Sequence, residues 1–255
     1  MKRAAKKALK AFFQAMDGTA SHQRAELALT LHMLEGVAPK FFAEEQLAAP
    51  LKAALEGLKK VPATFPPSID SDEAMARLDA LYLRKVRGLE PRAFKPEAVK
   101  AAVLASGRQS GELYGWLMGE LAFPLGVEAR VPLSQRWPFR DERVIHLYHL
   151  THIVLIDTRY LMTPVPEALV DELSELNGAM EELAAQRFWD LLGECVFCLA
   201  RAGTPAPHAV EALLAAQGPE GGFAEADASP RSAAHCTAVG VLALAGALDL
   251  ERSAP

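Results

Sequence analysis

The chain has 255 residues, 51% apolar and 23% charged, a composition that excludes a disordered polypeptide and suits a globular one with a sizeable core. The formal net charge is -5 and the pI about 5.8, so no global attraction draws it to nucleic acid or anionic lipid, and neither is expected as a partner. Three cysteines, Cys195, Cys198 and Cys236, are too few for a disulfide framework and suit a reducing compartment.

The start, MKRAAKKALKAFFQAM, is basic but lacks a secretory cleavage pattern. The two most apolar stretches, VIHLYHLTHIVLI and CTAVGVLALAGAL, fall short of the roughly 18 to 20 residues that cross a membrane. A soluble, cytoplasmic protein is the expectation.

Residues 2–16 place Leu9, Phe12, Phe13 and Met16 on one side and four lysines largely on the other, the pattern of an amphipathic surface helix. Gly18 and Ser21 interrupt the chain. Leu27, Leu29, Leu31 and Leu34 then predict a second helix ending at Gly36. A third follows Pro39 and runs to about residue 60, with Leu47, Leu51, Leu55 and Leu58 at helical spacing.

The segment VPATFPPSID, residues 61–70, carries three prolines, so neither a helix nor a central strand crosses it. It reads either as a boundary between N-terminal helices (1–60) and a main domain (71–255), or as one long loop inside a single domain. Ser71 is the predicted N-cap of the next helix, through Leu83, with Glu73 in its first turn.

Further helices are expected over 96–106, 111–122, 141–162, 166–184, 187–202 and in a last pair after Pro207. VEARVPLSQRWPF is the one segment with strand character, and Pro132 and Pro138 restrict it to a loop or a short extended piece. The fold class is all-α, its helices arranged in consecutive pairs as in helical solenoids and closed α/α barrels.

The last pair carries LLAAQGPEGGF and then HCTAVGVLALAG. Gly221 and Gly222 permit positive φ and close chain approach, and Phe223 can plug the gap between neighbouring hairpins. This Gln-x-x-x-Gly-Gly-Phe turn resembles that of the squalene-cyclase and protein-prenyltransferase repeats, over about 40 residues (209–246). The resemblance implies a small or partial α/α toroid, with His235 at the rim of a central cavity where zinc-dependent prenyltransferases place a metal-ligand histidine. The acid motifs of cyclases and terpene synthases, the Asp-x-Cys pair of prenyltransferases and the Cys-His-Gly motif of lanthionine cyclases are missing from this sequence. The known activities of the fold therefore do not transfer, because chemistry belongs to the site.

Three segments carry candidate chemistry. In HLYHLTHIVLID, His146, His149 and His152 recur every third residue and fan over roughly 120° of a helix, so adjacent pairs can share an ion but three converge only with distortion. The preferred part is His152 with Thr151 and Asp157. On RFWDLLGECVFCLAR, Asp190, Glu194, Cys198 and Arg201 form one stripe, which reads either as cavity-lining ligands and acid–base groups or as an ordinary solvated face. Cys195 and Cys198 have the spacing of redox and metal motifs but sit in an apolar run and are read as core thiols. Cys236 points about 100° away from His235 and is read as packed. Arg136, Trp137, Phe139, Arg140 and Arg143 make a basic–aromatic cluster, either solvated or a grip for an anionic substrate group.

The expected function is a metal-dependent enzyme of specialised metabolism acting on a small molecule or peptide by cyclisation, elimination or hydrolysis. His152, Asp190 and His235 would hold a divalent metal, zinc or iron, with Asp157 and Glu194 as catalytic carboxylates. The alternative is a non-catalytic helical scaffold that binds a peptide or protein partner.

Overall fold

The structure is a computed structural model, and it describes residues 1–16, 18–89, 93–130, 137–224 and 229–253. Among these residues there are twelve α-helices and no strand: α1 (Lys2–Ala15), α2 (Ser21–Val37), α3 (Pro39–Glu44), α4 (Ala48–Gly57), α5 (Ser71–Val86), α6 (Pro96–Ser110), α7 (Glu112–Ala122), α8 (Arg143–Asp157), α9 (Val170–Gln186), α10 (Trp189–Arg201), α11 (Pro207–Ala216) and α12 (Pro230–Glu251). The fold is all-α. The part of the strand-like segment at 131–136 lies outside the described residues. Two compact units divide the chain: the first holds residues 1–17, 30–51 and 150–255, the second 18–29 and 52–149.

In the first unit α12 is the central element, and α1, α3, α10 and α11 all pack on it. Its run from Arg231 to Glu251 is long and apolar enough to cross a membrane, longer than the apolar stretch alone suggests, and 72% of that window is buried inside the fold. Among the helices after residue 170, α10 packs most closely on α12 and also meets α9 and α11, and α11 touches both α9 and α12. Small residues set the α10–α12 distance. A Cβ on Gly193 would strike the Val239 side chain at 2.5 Å, and one on Gly246 would lie 3.0 Å from Val37 and 3.2 Å from Ala200.

The amphipathic first helix buries Ala5, Ala8, Leu9 and Phe12. Along the flank of that face run the ion pairs Lys2–Glu44 (2.8 Å) and Lys6–Glu45 (2.6 Å). The Gln-x-x-x-Gly-Gly-Phe turn locks onto this helix. Gln217 Nε2 donates to the carbonyls of Ala4 and Gly221, both at 3.0 Å. Gly221, at φ +96°, sits so close to Lys7 that a Cβ would lie 2.5 Å from its carbonyl oxygen. Phe223 is buried with its ring flush against Gly240 of α12. Thr237 fixes it there, its hydroxyl accepting from Phe223 N–H at 3.0 Å. At the far end of α12 the Asp249 carboxylate accepts from the N–H groups of Lys40 (2.6 Å) and Phe41 (3.1 Å), so a remote helix supplies the cap that α3 lacks locally.

The helix expected over 141–162 is α8, which starts at Arg143 and stops at Asp157, five residues short of Met162. Arg159, Tyr160 and Leu161 then take φ of 51°, 55° and 66°, a left-handed turn built without glycine. Local and distant bonds hold it: Tyr160 N–H to Leu155 O at 2.6 Å, Leu161 N–H to Thr158 Oγ1 at 3.0 Å, and Arg201 Nε to Leu161 O at 2.7 Å. His32 Nε2 lies 3.2 Å from Arg159 O.

In the second unit α5, α6 and α7 pack on one another. The N-cap of α5 is Asp70 and not Ser71: Asp70 Oδ1 accepts from Glu73 N–H at 2.8 Å, and Ser71 becomes the first helical residue. The Pro-rich segment is pinned by apolar side chains, since Val61, Ala63 and Phe65 are buried. The helix predicted to end at residue 106 continues to Ser110 because Gly107 is a close-contact residue and not a stop. A Cβ on Gly115 of α7 would lie 2.8 Å from its Cα, and the break falls instead at Gly111, φ +98°.

Two glycine substitutions are expected to shift stability in opposite directions. Gly178→Ala, on an exposed turn of α9 with open space around it, should raise stability by about 0.5–1 kcal/mol. Gly240→Ala, against the Phe223 ring, should lower it by about 1–3 kcal/mol through overpacking. Urea denaturation midpoints of the two variants check both signs.

Candidate functional site

The site grows from the α10–α12 packing. Asp190 stands in the first turn of α10, where a carboxylate is favoured by the helix dipole, and Glu194 follows one turn later on the same face. The α12 helix starts cleanly at Ser229, whose Oγ accepts from Ser232 N–H at 3.1 Å, and this start places His235 in the second turn. Gly193 meeting Val239 brings the start of α10 alongside the first half of α12.

Asp190, Glu194 and His235 each offer a ligand atom, and all three atoms lie within 4.8 Å of one another. His235 Nε2 is 3.6 Å from Asp190 Oδ1. The third helix is α8: Thr151 Oγ1 donates to Glu194 Oε2 at 2.5 Å, and His152 Nδ1 stands 4.0 Å from the same oxygen and 3.4 Å from the Thr151 hydroxyl. The side-chain exposures grade the site from wet to dry, with His235 at 46%, His152 at 20%, Asp190 at 15% and Glu194 at 5%. Burial, reinforced by the Asp190 charge, pushes the Glu194 carboxyl above its usual range, and the His152 and His235 imidazoles and the Thr151 hydroxyl pull it back only in part. Burial and the Glu194 charge likewise push the Cys198 thiol well up, and its Sγ donates to Thr151 O at 3.9 Å, which is the chemistry of a packed thiol.

The Asp190–Glu194–Cys198–Arg201 stripe therefore faces inward, and the solvated-face reading does not describe it. Asp157 is not brought into the group. It lies exposed at the end of α8, where burial of part of its surface and the Glu172 charge raise its carboxyl. His146 and His149 belong to the second unit and are fully buried among aromatic rings: His149 meets Trp116 and Phe139 edge-on, with centroids 4.6 and 5.2 Å away, and His146 meets Trp137 at 5.5 Å. Of the basic–aromatic cluster, Arg140 stacks over Trp137 at 5.7 Å, and Arg136 lies outside the described residues. The Thr151–Glu194 bond, between residues 43 apart, has no signature in sequence.

A family model for a domain of unknown function, DUF6895, matches residues 63–240, well over half of the chain. The chain belongs to this family. The DUF6895 match spans Thr151, His152, Asp190, Glu194 and His235 and stops short of α1 to α4. No curated protein and no solved structure matches the chain.

The raised Glu194 carboxyl fixes the sign of a pH effect. Between the unfolded value near 4.5 and its higher folded value, the folded chain holds the extra proton, so this contribution to stability is complete below the unfolded value and is lost as pH rises through the folded one. Glu194→Gln is neutral at every pH. In chelator-treated protein the variant is expected to gain stability relative to wild type as pH climbs from 4.5. Melting curves of both proteins across that range check it, and parallel pH profiles contradict it.

Proposed function

We propose that the protein is a metal-dependent enzyme acting on a small molecule or peptide, with its centre on Asp190, Glu194 and His235. The observation that carries this reading is the convergence of two carboxylates and an imidazole within 4.8 Å on two helices. Ligands bound at about 2.0–2.2 Å from one ion stand roughly 3–4 Å apart, so a small contraction of these side chains closes the set. Nitrogen with carboxylate oxygen suits zinc or iron better than magnesium or calcium, which prefer oxygen alone. Two carboxylates buried this close to each other also repel, and a divalent cation removes that cost.

When bound, the ion supplies Lewis acidity. The chain's own residues supply the setting: Thr151 holds Glu194, the α10 and α12 helices exclude water from its inner side, and the more exposed His235 and His152 border the open side. Cyclisation, elimination and hydrolysis all need that pairing of an electrophilic centre with proton-bearing side chains. The packing of α10 between α9, α11 and α12 and the docked Gln-x-x-x-Gly-Gly-Phe turn support a paired-helix repeat of the α/α-toroid kind as the scaffold.

Metal analysis tests the reading. Purified protein is expected to carry about one zinc or iron per chain, and chelation to lower its melting temperature, as binding to the folded state alone requires. Asp190→Asn with His235→Asn should carry none. Wild-type protein that neither retains nor takes up a transition ion leaves the scaffold reading in place of the enzyme.

A further inference from the structure

We propose that Asp190, Glu194 and His235 form a three-ligand, open transition-metal centre in which Thr151 and His152 hold the Glu194 carboxylate in place without touching the ion. The proposal rests on the metal-dependent reading above and assigns its residues. It also reverses two roles that spacing suggests, with His152 as ligand and Glu194 as acid–base group.

The geometry separates the two sets. Asp190, Glu194 and His235 lie mutually within 4.8 Å and come from α10 and α12, which close packing at Gly193 and Val239 holds at a fixed distance. The α8 residues both address Glu194 Oε2. The Thr151 hydroxyl has one proton, and it goes to Oε2 at 2.5 Å. Toward His152 Nδ1, 3.4 Å away, that hydroxyl can only accept, so this contact puts a hydrogen on Nδ1. An Nδ1–H directed at Thr151 Oγ1 and Glu194 Oε2 steadies a carboxylate, and His152 stands outside the group of residues whose ligand atoms lie within 4.8 Å of one another. A carboxylate has about four acceptor positions. Thr151 and His152 take up part of that capacity at Oε2, and one oxygen of the same carboxylate lies within 4.8 Å of the ligand atoms of Asp190 and His235.

Ligating carboxylates are commonly held in this way by outer hydrogen bonds, and losing such a partner costs about 10–100-fold in metal affinity. Three protein ligands are also the number that leaves a position for water or substrate, whereas structural sites are closed by four.

Cobalt(II) is the probe, added to chelator-treated full-length protein as a spectroscopic stand-in for zinc. The bound cobalt is expected to give one hyperfine-shifted, solvent-exchangeable imidazole N–H signal in the proton NMR spectrum, from His235. His152→Asn should keep that single signal. Thr151→Val and His152→Asn should each weaken cobalt binding about 10–100-fold, while Thr151→Ser, which keeps the hydroxyl, stays near wild type. Circular dichroism melts confirm that each variant is folded. Two imidazole signals in the wild type, one of them lost in His152→Asn, would make His152 a ligand and overturn the proposal. Unchanged affinity in both Thr151→Val and His152→Asn would overturn it as well. No cobalt binding by the wild type is a different result, because it removes the metal-dependent reading itself.

Discussion

The α10–α12 contact is the constraint on which the site depends. Two helices that approach through Gly193 and Gly246 leave no room for side chains between them at those points, so residues one turn away are forced to face each other. Asp190 lies about one turn before Gly193 on α10 with Glu194 directly after it, and His235 lies one turn before Val239 on α12. A larger residue at position 193 would push the axes apart and separate the carboxylates from the imidazole. The rest of the first unit supports this contact from behind: α1 and α3 cover α12, the Gly-Gly-Phe turn pins α1, and Asp249 ties α12 to the start of α3. In this way a helix of mostly small apolar residues becomes a rigid carrier for one histidine.

Most of the helices are legible in the sequence because their signals are local: proline and glycine stops, and leucines at helical spacing. Where the structure differs from that pattern, a competing local feature or a distant partner decides. Asp70 outcompetes Ser71 as a cap because its carboxylate reaches Glu73 N–H one residue earlier than the hydroxyl position suggests. Gly107 fails to stop α6 because its lack of a side chain serves contact with Gly115. Of the site, the Asp190–Glu194 pair was visible as a helical stripe and His235 through the turn that precedes its helix. Which way the stripe faced was not visible, because a stripe of charge looks the same whether it meets water or a neighbouring helix. His152 stands out in the sequence with Thr151 and Asp157, and of these Thr151 joins it at Glu194 while Asp157 does not; the buried aromatic surroundings of His146 and His149 are a different environment from its own.

The end of α8 shows how the third helix is held in register with the other two. A left-handed residue costs roughly 1–2 kcal/mol when it has a side chain, and three stand in succession at Arg159, Tyr160 and Leu161. Such a turn persists only when its surroundings over-determine it. Here Thr158 bonds Leu161 N–H, and Arg201, from the last turn of α10, takes the Leu161 carbonyl at 2.7 Å. Gly36 also lies against that carbonyl, too close to admit a Cβ. Arg201 and Glu194 belong to the same helix, seven residues or about two turns apart. The segment from α8 through the turn is thus fastened to α10 at two levels, by Arg201 at one end and by the Thr151–Glu194 bond at the other. Two fixed points on one helix leave its partner little freedom to slide or rotate. The strained turn therefore bears on the site from about two helical turns away: it sets where Thr151 and His152 stand beside Glu194, the more buried of the site's two carboxylates.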